Sequence, residues 1–127
     1  MTRLFSCGQS EACQNPSGNV VVSGDHHIGE ILQKLEKRPQ RAQMTVIVTY
    51  DENGGFWDHV PPPIRDRWGP GTRVPTMAVS PFAKRAFVDH TPHDTTSVLR
   101  LIEARFGIAP LTDADAKANN MPGAFQF

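Results

Sequence analysis

Apolar residues recur at helical spacing in two stretches of the chain. Ile28, Ile31, Leu32 and Leu35 fall at i, i+3, i+4 and i+7, the face of an amphipathic helix. Asp25 is placed to cap that helix. Lys34, Lys37 and Arg38 lie towards its end, where cations suit the helix dipole, and Pro39 stops it. The preceding residues 15–24 read as loop with a short apolar stretch. The second helical pattern is Val98, Leu99, Leu101, Ile102 and Phe106. Thr95 or Thr96 is its candidate cap and Gly107 its terminator. Two strands are expected between these helices. Residues 44–50 are nearly all apolar, rich in β-branched side chains and free of Pro and Gly. Such a run predicts a strand buried on both faces, typical of a parallel sheet covered by helices. Residues 74–80 form the second candidate, with Pro75 at the strand start, where proline is tolerated.

The order is helix, strand, long loop, strand, long loop, helix, which predicts an α/β fold. From Asp51 to Thr72 the periodicity collapses. Asn53-Gly54-Gly55 is a turn signal, Pro61-Pro62-Pro63 is stiff, and Gly69-Pro70-Gly71 is a further break. A connection this long in a compact domain is usually functional. Sites in α/β folds lie beyond the carboxyl ends of strands, so the loop opening at Asp51 is where chemistry is expected.

Composition narrows the picture. The 127 residues suit one domain, and 13 basic against 13 acidic side chains give zero formal charge. That excludes the basic excess of an electrostatic nucleic-acid binder. Apolar residues at 39% and charged residues at 20% suit a globular chain. No apolar run approaches the roughly 20 residues of a membrane helix. The first residues lack the apolar core of a secretory signal. Cys7 and Cys13 are too few for a disulfide scaffold or a four-ligand zinc site; a disulfide between them is geometrically open, and unpaired thiols are the default reading. Pro (11) and Gly (10) are in excess for so short a chain, which implies more loop than one small domain supports.

Asp51 and Glu52 follow directly on the first strand. Adjacent carboxylates repel unless a cation lies between them, and a divalent metal ion accepts such oxygen ligands. The bland alternative is a solvated turn. The five histidines are His26, His27, His59, His90 and His93, three of them in the post-strand loops. Asp58-His59, Asp89-His90 and His93-Asp94 join carboxylate to imidazole, as metal ligands or the groups that orient them do. Each histidine is equally readable as a surface residue. Phe56 and Trp57 are expected to pack the loop onto the domain. Arg65, Arg67 and Arg73 suit a phosphate but also suit a solvated face. There is no phosphate-cradling glycine loop and no serine nucleophile elbow.

The stretch Thr45 to Pro62, with Thr49-Tyr50-Asp51-Glu52-Asn53-Gly54-Gly55-Phe56-Trp57-Asp58-His59 at its centre, resembles the signature of the bacterial phosphoesterase family that contains phospholipases C and acid phosphatases. Gly24-Asp25, Gly69-Pro70-Gly71-Thr72-Arg73-Val74-Pro75, Val79-Ser80-Pro81-Phe82-Ala83-Lys84, Val88-Asp89-His90-Thr91 and Asp94-Thr95-Thr96-Ser97-Val98-Leu99-Arg100 are similar to that family in the same order. Asn53 and Trp57 look closest to its acid-phosphatase branch. The resemblance implies an alkaline-phosphatase-like sandwich with a mostly parallel sheet flanked by helices. It also implies hydrolysis of phosphate esters, with a divalent metal ion held by Asp51 and Glu52. His59 and His90 match motif positions as supporting catalytic residues. Asn15-Pro16 stands where the family has a His-Pro whose histidine contacts phosphate. Asn15 can hydrogen-bond but is no proton donor of similar strength.

Family members are several times longer, and their N-terminal part carries a Glu-Asn metal motif and a Ser or Thr nucleophile that have no counterpart here. Residues 15–112 are therefore expected to form the C-terminal part of a catalytic domain. Residues 1–14 stay unassigned, and 113–127 form a tail. The expected function is a metal-dependent phosphoesterase that is incomplete by itself. The alternative is a truncated remnant or metal-binding fragment without turnover. Phosphate esters are the expected substrates, with no nucleic-acid partner and no membrane span. An exposed sheet edge would favour self-association. Family members are usually exported.

Overall fold

The computed structural model describes residues 18–54, 56, 59–64, 67 and 69–126, and for residues 18–20 the backbone alone. The chain divides into two compact units, Met1–Arg41 and Ala42–Phe127. Asn15, Cys7 and Cys13 lie outside the described residues.

The first unit is dominated by helix α1, Gly18–Glu36. It starts well before Asp25, which is a helical residue and not the expected cap. The stretch 18–24 therefore departs from the loop reading. Its valines and glycines disfavour helix by less than about 1 kcal/mol each, a weak preference that an adjoining helix overrides. Ile28, Ile31, Leu32 and Leu35 are half-buried, as their spacing predicts, whereas Val21 and Val22 are exposed. On the polar face Glu30 meets His26 at 3.7 Å and Lys34 at 3.9 Å, both at i,i+4. Such exposed pairs contribute only a few tenths of a kcal/mol each. The helix ends before Pro39, which opens a 3-10 turn, Pro39–Gln43.

The second unit holds strands β1, Val46–Thr49, and β2, Thr76–Val79. Both fall inside the predicted runs. They pair antiparallel, Val46 opposite Val79 and Thr49 opposite Thr76. The mostly parallel sheet and the doubly buried strand expected from residues 44–50 do not describe this pair. β1 is half-buried, and β2 is exposed along its length. An apolar β-branched run specifies an extended backbone but not the direction of its neighbour.

Hydroxyl groups clasp both ends of this ladder. At one end Ser80 Oγ donates to Met44 O (3.0 Å) and accepts from Thr45 Oγ1 (3.0 Å) and the Phe82 N–H (3.2 Å). One donor and two acceptor sites are the full capacity of a serine hydroxyl. At the other end Thr49 Oγ1 donates to Pro75 O (3.2 Å) and lies 2.9 Å from Thr76 Oγ1.

Helix α2, Thr95–Phe106, is capped by Asp94 and not by Thr95 or Thr96. The Asp94 carboxylate accepts the N–H groups of Thr96 and Ser97, and Ser97 Oγ accepts the Asp94 N–H in return. Gly107 ends the helix in the left-handed region (φ 64°), as expected, a conformation that favours glycine. The predicted apolar face is only partly used. Val98, Leu99 and Leu101 are half-buried, while Ile102 and Phe106 are exposed. The buried side chains of α2 are Ser97 and Glu103.

The last residues fold back over this unit. A short helix α3, Asp113–Ala116, is capped by Thr112 and packs on α2. A 3-10 turn, Pro122–Ala124, follows. Phe125 then pairs with Ala83, through Lys84 N–H to Ala124 O (3.0 Å) and Gln126 N–H to Phe82 O (2.7 Å). Met121 and Phe125 are the buried apolar side chains among the described residues. No described helix is long and apolar enough to cross a membrane.

Candidate functional site

β1 delivers the chain to Asp51 and Glu52 from an anchored end. Thr49 is fixed by its two hydroxyl contacts to Pro75 and Thr76, so the backbone leaving the strand has a set direction. Both carboxylates are exposed. Asp51 Oδ1 accepts the Glu52 N–H at 3.0 Å, which orients the first carboxylate and leaves its other lone pairs open. The chain then turns sharply. Gly54 takes φ 55°, and the Phe56 N–H donates to Asn53 O at 2.7 Å. Asn53 Nδ2 donates to Thr72 Oγ1 at 2.9 Å, tying the start of the long loop to its end.

His59 is exposed on this loop, and so is Phe56, which does not pack the loop down as expected. Apolarity alone does not fix where a side chain packs when it follows a turn such as that at Gly54. Arg67 and Arg73 are exposed. Trp57, Asp58 and Arg65 lie outside the described residues.

His90 is exposed on the turn ahead of α2. Among the described residues, neither Asp89-His90 nor His93-Asp94 bonds as its adjacency suggests. Asp89 Oδ2 pairs with His93 Nε2 at 3.3 Å, four residues on, and Asp94 serves α2. Neighbouring side chains diverge, whereas a turn brings i and i+4 together. Asp89 Oδ1 also accepts the Thr91 N–H at 2.9 Å. That backbone bond leads the effects that hold the Asp89 carboxyl down at about 2. The Thr91 side chain and His93 add to it against the opposing cost of burial. The side chains of Asp89 and His93 are 16% and 20% exposed, so the pair is largely shielded, and His93 Nδ1 is buried without a partner.

Asp51 and Glu52 have the donor chemistry of a divalent-metal site: hard, anionic oxygens on a fixed strand end. They fit such an ion as part of a ligand shell. Among the described residues no three His, Cys, Asp or Glu side chains come together to hold one. Asp51, Glu52, His59 and His90 are therefore not drawn into a single cluster. The sequence reading missed two pairings, Asp89 with His93 and Glu103 with Asp115. The Thr112-x-x-Asp115 spacing signals a capping box and so the place of Asp115, but nothing in the pattern signals its meeting with Glu103.

Comparison with known proteins places the chain in a family. Residues 5–109 match the Phosphoesterase family. Over 110 residues the chain is 34% identical to non-specific phospholipase C1 of Arabidopsis thaliana, covering 74% of this chain and 21% of that protein. It is 38% identical over 109 residues to phospholipase C B of Mycobacterium tuberculosis, covering 65% and 21%. Against the non-hemolytic phospholipase C of Burkholderia pseudomallei it is 33% identical over 110 residues, covering 65% and 16%. The chain thus spans about a fifth of the length of these relatives. The match takes in α1, both strands, the loop that opens at Asp51 and α2 as one continuous stretch, and on that extent the chain belongs to the phosphoesterase family.

Proposed function

We propose that this chain carries part of the site of a metal-dependent phosphoesterase, with Asp51 and Glu52 as metal ligands. The observation that supports it most is the adjacent carboxylate pair on the clasped end of β1, inside the family match. A metal ion bound there would polarise a phosphoryl oxygen and activate an oxygen nucleophile. The protein's own residues supply position. The Thr49 clasp and the Asn53–Thr72 bond hold the loop mouth, and Gly54 turns the chain aside so that substrate has room. His59 and His90, exposed on the two post-strand loops, are placed in this reading as donors to the ester's oxygens. Asn15 is assigned the neutral hydrogen-bonding role at the phosphate. In the whole protein, β1 would belong to an alkaline-phosphatase-like sandwich with a mostly parallel sheet, reached through the edge that β2 leaves open.

The relatives' names point to phosphodiesters, whereas Asn53 and Trp57 resemble the acid-phosphatase branch, which takes monoesters. Two donors also fall short of the four that a tetrahedral zinc site needs, which favours a second reading of metal binding without turnover. One experiment separates these. The chain and its Asp51→Ala variant are titrated with zinc, manganese and calcium by calorimetry. Both are then assayed on p-nitrophenyl phosphate and p-nitrophenylphosphorylcholine. Metal binding lost in Asp51→Ala supports the site, and the ester turned over distinguishes the branches. Binding without turnover supports the second reading. Equal binding by both proteins, or none by either, would overturn both.

A further inference from the structure

The last segment makes three attachments across the second unit and one close approach. Its Asp115 meets the Glu103 carboxyl of α2. Asn119 Nδ2 donates to Pro92 O at 2.7 Å. Phe125 closes the bridge to Ala83. Gly123 lies so close to Asp89 that a β-carbon there would stand 3.2 Å from Asp89 Oδ2. The bond at Pro92 and the approach at Asp89 both fall on the turn that presents His90.

The attachment at α2 differs from the others in chemistry. Glu103 and Asp115 are 2% and 1% exposed, and two carboxylates side by side out of water cannot both be charged cheaply. Asp115 is well provided for. It accepts the N–H groups of Leu111 (2.7 Å) and Thr112 (2.8 Å) and the Thr112 hydroxyl. Glu103 has far less. Arg100 reaches one oxygen at 3.5 Å, the Leu111 N–H contributes more weakly, and no N–H or hydroxyl donor reaches Oε1. Arg100 from α2 and Asp115 from α3 are the charged groups that meet the Glu103 carboxyl. The proton of the pair therefore belongs on Glu103, which donates to Asp115.

We propose that residues 111–126 form a strap over the His90 turn, fastened by the proton that Glu103 shares with Asp115 and released when Glu103 ionises. This inference goes beyond the hydrolytic reading and stands without it. Burial, then Asp115, pushes the Glu103 carboxyl above its ordinary value of 4.5, with Arg100 opposing. The Thr112 hydroxyl leads the effects that bring Asp115 down to about 2. The raised group stabilises the closed strap fully below its ordinary value, and that contribution is lost as pH rises through its folded value. The lowered group stabilises it above its own ordinary value, down to about 2. The strap is firmest between the ordinary values of the two groups, 3.8 and 4.5, and slackens progressively as pH rises above them.

Hydrogen exchange of the full chain, read by mass spectrometry and corrected for the intrinsic pH dependence of exchange, tests this. The amides of β1 and β2 serve as the internal reference. Protection of residues 111–126 is expected to fall about tenfold per pH unit above the ordinary glutamate value, then level off once Glu103 is ionised in the closed strap. Glu103→Gln, which keeps a donor for Asp115 without a charge to gain, is expected to hold its protection flat. Glu103→Met serves the same purpose should the amide variant fold poorly. Of the other titratable groups beneath the strap, Asp89 is held at about 2, below the range tested, and His93 is removed as a source of pH dependence by His93→Gln, which should leave the wild-type response in place. A flat profile in the wild type would overturn the proposal. So would the same pH response in the Glu103 variants, or its loss in His93→Gln.

Discussion

Replacing Asp94 by alanine removes the cap of α2 while leaving the backbone able to continue. The bonds lost include those from the Thr96 N–H at 2.9 Å, the Ser97 N–H at 3.3 Å and the Thr96 hydroxyl at 2.5 Å. Loss of a cap costs about 1 kcal/mol by itself. The Ser97 N–H also donates to the Asp94 backbone carbonyl at 3.0 Å, which alanine keeps, so the buried amide stays paired and the cost stays at about 1 kcal/mol. With a urea dependence of about 2 kcal/mol per molar, the unfolding midpoint should fall by about 0.5 M. Far-UV circular dichroism follows the transition. Asp94→Asn keeps an acceptor at the cap and should lie much closer to the wild type. A midpoint for Asp94→Ala indistinguishable from wild type would refute the assignment of Asp94 as the cap. An asparagine variant as unstable as the alanine one would refute the hydrogen-bond origin of its effect.

Two more outcomes are expected. Ser80→Ala deletes a hydroxyl that makes three bonds at a half-buried site, and should lower the same midpoint by an amount equivalent to about 1–2 kcal/mol; Ser80→Thr should recover part of it. If the open edge of β1 seeks a partner strand, light scattering should show mass rising with concentration. A constant monomer mass would count against that edge being adhesive.

Local features of the fold were legible where one residue type dominates one conformation. The apolar β-branched stretch marked β1, Pro39 and Gly107 marked helix ends, and the spacing of Ile28, Ile31, Leu32 and Leu35 marked the inner face of α1. Features that depend on which groups meet were not legible. Asp94, Thr95, Thr96 and Ser97 are all competent caps, and only the backbone geometry at Asp94 selects among them. A glutamate inside an amphipathic helix reads as solvent-facing, so Glu103 gave no warning of its burial against Asp115. The direction of the β1–β2 pairing is set by contacts at the ladder ends, which lie about thirty positions apart along the chain. For the site, Asp51 and Glu52 are on the strand end where the pattern placed them, and the reason they stay there, the Thr49 clasp, is visible only in three dimensions.

The two hydroxyl clasps also bear on how this scaffold can diversify. They fasten the ladder from both ends, so the loop from Asp51 to Pro75 begins and finishes at points the sheet already holds. Once loop ends are fixed by the frame, doubling the loop length costs only about 0.6 kcal/mol in closure entropy. Insertions, deletions and exchanges within that loop are then nearly free of any penalty to the frame. The carboxylates at the mouth would stay in register while the rim around them is rewritten. Such a hairpin is a socket for interchangeable loops, able to change its rim without relearning how to fold.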